Sequence, residues 1–317
     1  PSLCAFYFVC IFCQFMLHLV KIQRTVGMKI HQLYENSEPV ISLEVFPPKK
    51  KSGLHTLQTM LEQVKTIQPA YISVTYGAGG TSVSNQTLEI AQMLKKTQGI
   101  EPLHHLTCIG KSKAELQTIL AEIKAAGIEN LLVLRGDLPE TDQTCVSDFP
   151  LAKDLIAFAK QEGDFSIAAA CYPEGHIEQA SDQENFDHLK AKQAAGADFF
   201  ISQLFFHNDS FYRMVEGARK AGVTVPIAAG IMPIMSRTQV EKMIFMCGAS
   251  LPSKLIKLIH RYEQQPEALR QAALEYALAQ CEDLIAHGVD GIHLYSMNRP
   301  VVAKTVLQHL RGGHACN

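Results

Sequence analysis

The chain has 317 residues, 47% hydrophobic and 19% charged, which is enough for a large buried core and too apolar for a disordered protein. Its 29 Lys and Arg against 31 Asp and Glu leave no basic excess, which argues against nucleic acid as a partner. The nine cysteines include no paired CxxC sets with zinc spacing; Cys10 and Cys13 stand alone in an apolar stretch. The cysteines therefore read as thiols of a reduced, cytoplasmic protein, and no metal site is expected.

The first twenty residues carry no Asp, Glu, Lys or Arg, a length that would span a membrane. A secretory signal fits poorly, because no basic residue precedes the apolar stretch and no small-residue cleavage site follows. The reading adopted is that the soluble protein starts at Met28, with residues 1–27 a non-native or disordered leader. No membrane association is then expected, and residues 28–317 form one catalytic domain.

From residue 40 onward, short β-rich runs alternate with helical stretches. The runs are 40–46, 70–76, 103–108, 130–135, 166–172, 198–204, 226–231 and 290–295. Between them lie segments such as 113–126, where Leu116, Ile119, Leu120 and Ile123 share one face and Gly127 marks a stop. Residues 184–195 end in the same way at Gly196. Residues 236–287 must hold two or three helices, including 266–286. Near-continuous apolar strands alternating with helices imply a parallel sheet buried on both faces. Eight repeats favour an α/β fold of the closed (β/α)8 TIM-barrel type, with extra helices between strands 7 and 8. The glycine-rich turn 76–82 lacks the third glycine of a dinucleotide fingerprint, no phosphate loop is present, and no GxSxG elbow occurs.

Active sites of such barrels lie at the C-terminal strand ends, and those ends are polar here. Run one holds Glu44. Run two ends at Thr75 and Tyr76. Run three contains His104 and His105, and run four ends in Arg135-Gly136-Asp137. Run five ends at Tyr172, with Glu174 and His176 beyond. Run six carries Gln203, and run eight ends at Tyr295, followed by Asn298 and Arg299. Each has a plain structural alternative. Glu44 would serve equally in a buried ion pair, Tyr172 as core, Gln203 as a partner for backbone, and Arg135 and Asp137 as partners of one another. Of the two adjacent histidines, one should face the barrel interior and the other the helices.

Seven blocks in order, SLEVFPP (42–48), SVTYGAGG (73–80), HLTC (105–108), LRGDLP (134–139), AACYPEGH (169–176), SQLFF (202–206) and LYSMNR (294–299), resemble the methylenetetrahydrofolate reductase family. The resemblance covers roughly residues 40–310, and the length is similar to that of the bacterial, barrel-only form. It implies a flavoprotein that binds FAD and takes a hydride from NADH or NADPH. By a ping-pong scheme, that hydride would reduce 5,10-methylenetetrahydrofolate to 5-methyltetrahydrofolate, which supplies methyl groups for methionine synthesis. The folate accepts hydride only after protonation at N10 opens its five-membered ring to an iminium cation. That step requires an acid still protonated near neutral pH.

Glu44, in an apolar strand, is the candidate acid, with burial and a neighbouring carboxylate expected to raise its pKa. Asp137 would supply that carboxylate and stabilise the cation. Gly136 would let the backbone approach the cofactor, and Arg135 would help to hold it. By the same resemblance Thr75, His105, Arg135, Gly136, Asp137, Ala170, Tyr172, His176, Asn185 and Lys192 fall at cofactor positions. Glu44, Gln203, Met243 and Arg299 fall at folate positions. Three positions depart from the family pattern: Asn185 replaces an Asp expected on a ribose, Leu204 replaces a Phe, and Met243 stands where a Phe would stack on substrate. A homo-oligomer is expected. Rival readings are a silent flavin- or folate-binding barrel and another flavin barrel such as proline dehydrogenase. An aldolase would need a strand-end lysine, which no run provides.

Overall fold

A computed structural model of the chain describes residues 27–48, 53–76, 81–137 and 147–312. The expected leader lies almost wholly outside the described residues. Eight short strands carry the apolar runs: β1 (Val40–Val45), β2 (Ile72–Val74), β3 (Pro102–Thr107), β4 (Asn130–Leu134), β5 (Ser166–Cys171), β6 (Phe199–Ser202), β7 (Ile227–Ile231) and β8 (Gly291–Leu294). They pair in parallel in chain order, and β8 closes onto β1 through Val40↔Gly291 and Leu43↔Leu294. The expected (β/α)8 barrel is thus the observed fold.

Helices follow the strands: α1 (Leu54–Lys65), α2 (Thr81–Met93), α3 (Lys113–Ala125), α4 (Ala152–Glu162), α5 (Asp182–Ala194) and α6 (Asn208–Lys220). Their starts are encoded locally. Ser112 caps α3 in a reciprocal box with Glu115, and Ser181 caps α5 by accepting from the Glu184 backbone N–H. The predicted stop at Gly127 has φ +74°, a left-handed conformation that favours glycine. Between β7 and β8 the chain forms three helices, α7 (Arg237–Cys247), α8 (Ser253–Arg261) and α9 (Pro266–Ala286), and α10 (Pro300–Gly312) follows β8.

The strands alternate with period two. Leu43, Val45, Ile72, Val74, Leu106, Leu131 and Val133 face outward into the main core under the helices. Tyr71, Leu103, Leu132, Ala168, Phe199 and Ala228 face inward and form a separate cluster with Ile30. Ile30 belongs to a 3-10 turn (Ile30–Glu35) that plugs the N-terminal end of the barrel. The plug is held by hydrogen bonds as well as by apolar contact. The Ile30 N–H donates to Asn130 Oδ1 at 2.7 Å, and His31 Nδ1 lies 2.9 Å from Ser166 Oγ. Asn130 Nδ2 donates to Glu101 Oε1 at 2.9 Å, so the buried carboxamide is fully used. A third cluster joins α7–α9 to the C-terminal ends of β6 and β7 through Leu204, Phe206, Met232, Ile234, Val240 and Leu255. Among the described residues no helix is long and apolar enough to cross a membrane.

Candidate active site

At the C-terminal mouth the inward alternation brings Glu44, Thr75, His105 and Tyr295 to the ends of the neighbouring strands β1, β2, β3 and β8. Glu44 is 7% exposed, and burial raises its carboxyl from the ordinary 4.5 to about 8. The Ser73 hydroxyl acts in the other direction without offsetting the burial. His105 Nε2 stands 3.7 Å from Glu44 Oε2. Burial, with the neighbouring rings of His293 and His104, drives His105 well below its usual value, so it is neutral and gives the carboxylate no counter-charge. Its Nε2 is buried without a hydrogen-bond partner among the described residues. As expected for adjacent strand positions, His105 faces inward and His104 outward. Burial lowers His104 to about 4.

The strand ends are locked in place. Asn298 accepts from the Phe46 N–H at 2.9 Å and donates to the Phe46 carbonyl at 2.9 Å, which ties the β8 loop to the end of β1. Asn298 sits at φ +54°, where asparagine is better tolerated than most residues. On the opposite side the Tyr295 hydroxyl donates to the Ser202 carbonyl at 2.8 Å. Its ring crosses Gly230, where an added Cβ would lie 2.7 Å from the ring and 2.2 Å from the Ser202 oxygen.

Beside the mouth a cleft of about 370 Å³ opens between the ends of β4 and β5 and is walled by α5. Arg135, Ala170, Tyr172, His176 and Lys192 line it, so these five cofactor expectations fall in one cavity. Lys192 Nζ donates to the Ala170 carbonyl at 2.8 Å and lies 5.6 Å from the Tyr172 ring centroid. No carboxylate pairs with Lys192 among the described residues, and burial lowers its ammonium to about 8. Arg135 makes a bidentate pair with Glu178, at 2.6 and 2.8 Å. His176 meets Tyr172 edge-on at 4.8 Å. A half-buried cation with spare donors favours an anionic ligand such as a phosphate. The orphaned His105 Nε2 supplies a further polar contact on the mouth side. The residues lining the cleft therefore fit a phosphate-bearing cofactor such as a flavin dinucleotide.

Other expected residues occupy different settings. Asp137 is exposed on the β4 rim. Its charge is felt by Tyr172, His176 and Cys247. It does not raise Glu44, whose shift comes from burial, because Asp137 stands out toward solvent rather than beneath the mouth. Gly136 has φ +92°, and a Cβ there would lie 2.6 Å from the Ile109 side chain, so packing within the chain already requires glycine. Asn185 is 3% exposed and donates to the Tyr172 carbonyl at 3.0 Å, beneath the cleft rather than in its lining. Gln203 accepts from the Leu204 N–H at 2.8 Å and keeps its amide N–H groups unbonded among the described residues. Met243 packs against the cluster that holds Leu204, Phe206 and Met232, as do Tyr295 and Met297. Arg299 is exposed just before α10. Thr75 is half-buried, and its N–H continues the ladder to the Val45 carbonyl at 3.0 Å.

The sequence reading passed over Ser42, Ser73 and His293, all fully buried on the inner face below Glu44. Period two alone marks them. Ser42 lies two before Glu44, Ser73 two before Thr75, and His293 two before Tyr295. Among the described residues no cluster of side chains could hold a metal ion.

The family model for methylenetetrahydrofolate reductase matches residues 29–311. The chain is 32% identical over 296 residues to methylenetetrahydrofolate reductase (NADH) 1 of Arabidopsis thaliana, covering 89% of this chain and 50% of that protein. It thus spans about half the length of the plant relatives it matches. Against 5,10-methylenetetrahydrofolate reductase of Escherichia coli it is 32% identical over 272 residues, covering 85% of this chain and 90% of that one. A solved structure from Clostridium thermocellum, described as binding two copies of 5-methyl-5,6,7,8-tetrahydrofolic acid, shares the fold. Its TM-score is 0.63 at 14% identity, covering 88% of this chain and 99% of that one. With a family match running from ahead of β1 into α10, this barrel belongs to the methylenetetrahydrofolate reductase family.

Proposed function

We propose that the chain reduces 5,10-methylenetetrahydrofolate to 5-methyltetrahydrofolate at the barrel mouth, using NADH or NADPH and FAD. The observation that carries this reading is Glu44, a carboxyl held at about 8 by burial in the centre of the mouth. At neutral pH it is protonated, and it can give its proton to the folate N10 and so open the ring to the cation that accepts hydride. FAD bound in the cleft would supply the hydride chemistry that links the nicotinamide to that cation. Lys192 and Arg135 would hold its phosphates, Tyr172 and His176 would wall the cleft, and His105 would meet it at the mouth. Gln203, with free amide donors, would orient the pterin, Met243 would pack against substrate, and Arg299 would attract the glutamate tail. Asp137, on the rim, would favour the cation by its negative charge. The product is a methyl donor for methionine synthesis.

An anaerobic visible spectrum tests the reading. FAD-supplemented protein should be yellow, bleach on addition of NADH or NADPH, and recover its colour with methylenetetrahydrofolate. A protein that takes up no flavin contradicts the cofactor assignment. Bleaching without recovery contradicts the folate as acceptor.

A further inference from the structure

The cofactor side of the mouth and the side carried by α7 come from distant parts of the chain. Beyond β5, residues Tyr172-Pro173-Glu174-Gly175 form a tight turn, closed by the Gly175 N–H donating to the Tyr172 carbonyl at 3.1 Å. Proline is favoured at the second position of such a turn, and Gly175 follows with φ +80°. Tyr172 lines the cleft, and the Glu174 carboxylate two residues on reaches the segment after α7. Its Oε2 accepts from the Ser250 N–H at 2.8 Å.

Packing holds α7 lightly. Of its residues only Val240 is fully buried, while Phe245 and Met246 are 83% and 58% exposed. Met243 and Cys247, one turn apart, pack against the cluster at the ends of β6 and β7, as does Leu251. The helix stops at Gly248, which has φ +66° and donates to the Ile244 carbonyl at 2.9 Å. Other polar contacts of α7 stay within its own part of the chain. Arg237 pairs with Glu241 and Glu263, and Gln239 bonds to Met235 and Met232. The Glu174–Ser250 contact differs, since it spans 76 residues and joins the end of α7 to the end of β5.

That contact is half-made. Glu174 Oε1 is buried without a hydrogen-bond partner among the described residues. A carboxylate that gives one oxygen to a single N–H and buries the other unmet is a poor device for stability. What it supplies is position, because it fixes how far the end of α7 stands from the turn that carries Tyr172.

We propose that Glu174 is a positioning residue for the folate, which through Ser250 holds the end of α7 toward β5 and so keeps Met243 against the substrate. This rests on the function proposed above. The contact is carried by an acceptor oxygen rather than by charge, so an amide should replace the carboxylate.

Glu174→Ala and Glu174→Gln are compared with wild type in the FAD-loaded full chain. Glu174→Ala should raise the folate KM about fivefold or more, with kcat within about twofold of wild type. Calorimetry on the oxidised protein should show 5-methyltetrahydrofolate bound more weakly by the same factor. FAD affinity and the rate of bleaching by the nicotinamide should stay within about twofold. Hydrogen exchange at the Ser250 amide should quicken. Glu174→Gln should return KM and exchange to within about twofold of wild type. A merely structural role would weaken flavin and folate binding together. An unchanged folate KM or an unchanged Ser250 exchange rate in Glu174→Ala would overturn the proposal. A Gln variant as impaired as the Ala variant would overturn it too, since the charge would then act directly. Should Glu174→Ala fail to fold, Ser250→Pro removes the donor and keeps the carboxylate; it should reproduce the KM rise, and an unchanged KM would overturn the proposal. A wild-type protein that cannot reduce the folate fails before any variant is made, which separates failure of the function from failure of the positioning role.

Discussion

Two buried carboxylates, one at each end of the barrel, face opposite circumstances. Glu101 at the N-terminal end is 1% exposed, and Lys95 Nζ at 3.1 Å, the Gly27 N–H at 2.9 Å and Asn130 Nδ2 all donate to it. Burial raises its pKa, and Gly27 and Lys95 hold the rise in check. Glu44 at the mouth is buried almost as deeply but meets one hydroxyl and a neutral histidine, and its pKa reaches about 8. Burial alone therefore does not distinguish a structural carboxylate from a reactive one. What differs is whether the chain supplies donors to the charged form.

The largest effect should come from removing the uncompensated group. Glu44→Gln is expected to slow folate reduction by about 10³-fold, within the usual range for loss of a general acid, while flavin binding and nicotinamide oxidation persist. Undiminished folate reduction would remove Glu44 from the chemistry. The same substitution should reveal the linkage. The folded protein holds the Glu44 proton between 4.5 and about 8 where the unfolded chain does not, so wild-type stability from this group falls as pH rises through that window. The variant should gain thermal stability relative to wild type over the same interval.

Glu101→Gln tests the other carboxylate. It leaves Lys95 without its buried partner and should cost about 3 kcal/mol by chemical denaturation, with the folded fraction retaining its folate step. A loss of rate without loss of stability would erase the distinction between the two ends. At the cleft, Lys192→Met should weaken FAD binding about tenfold or more, the worth of a charge-assisted contact, as read by flavin fluorescence. Unaltered flavin affinity would place the anion elsewhere. The smallest effect belongs to the clamp at Phe46. Asn298→Ala loses two hydrogen bonds to backbone and should cost about 1–2 kcal/mol of stability.

These settings were unequally readable from sequence. The eight strands stood out because each is a short apolar run bounded by turn residues, and a period of two required one of His104 and His105 to face inward without saying which. Ser73 and His293 escaped notice because a serine or histidine amid apolar residues resembles ordinary core. Their meaning arises only when β1, β2 and β8 bring the side chains together across the barrel. Asn185 shows the reverse. Its position suggested a ribose contact, yet its amide is committed to the Tyr172 carbonyl, a partner set by how α5 packs on β5. The pairing of Arg135 with Glu178 likewise depends on the path of the loop after β5, which local propensity does not encode.

The central claim is that Glu44 acts as an acid because the mouth leaves its charge uncompensated. The most direct test is the pH dependence of the folate step in single turnover, with protein reduced beforehand. The rate should be level around neutrality and fall at higher pH with a midpoint near 8, as the Glu44 proton is lost. A rate that rises with pH, or one that falls with a midpoint near the ordinary value of 4.5, would contradict it.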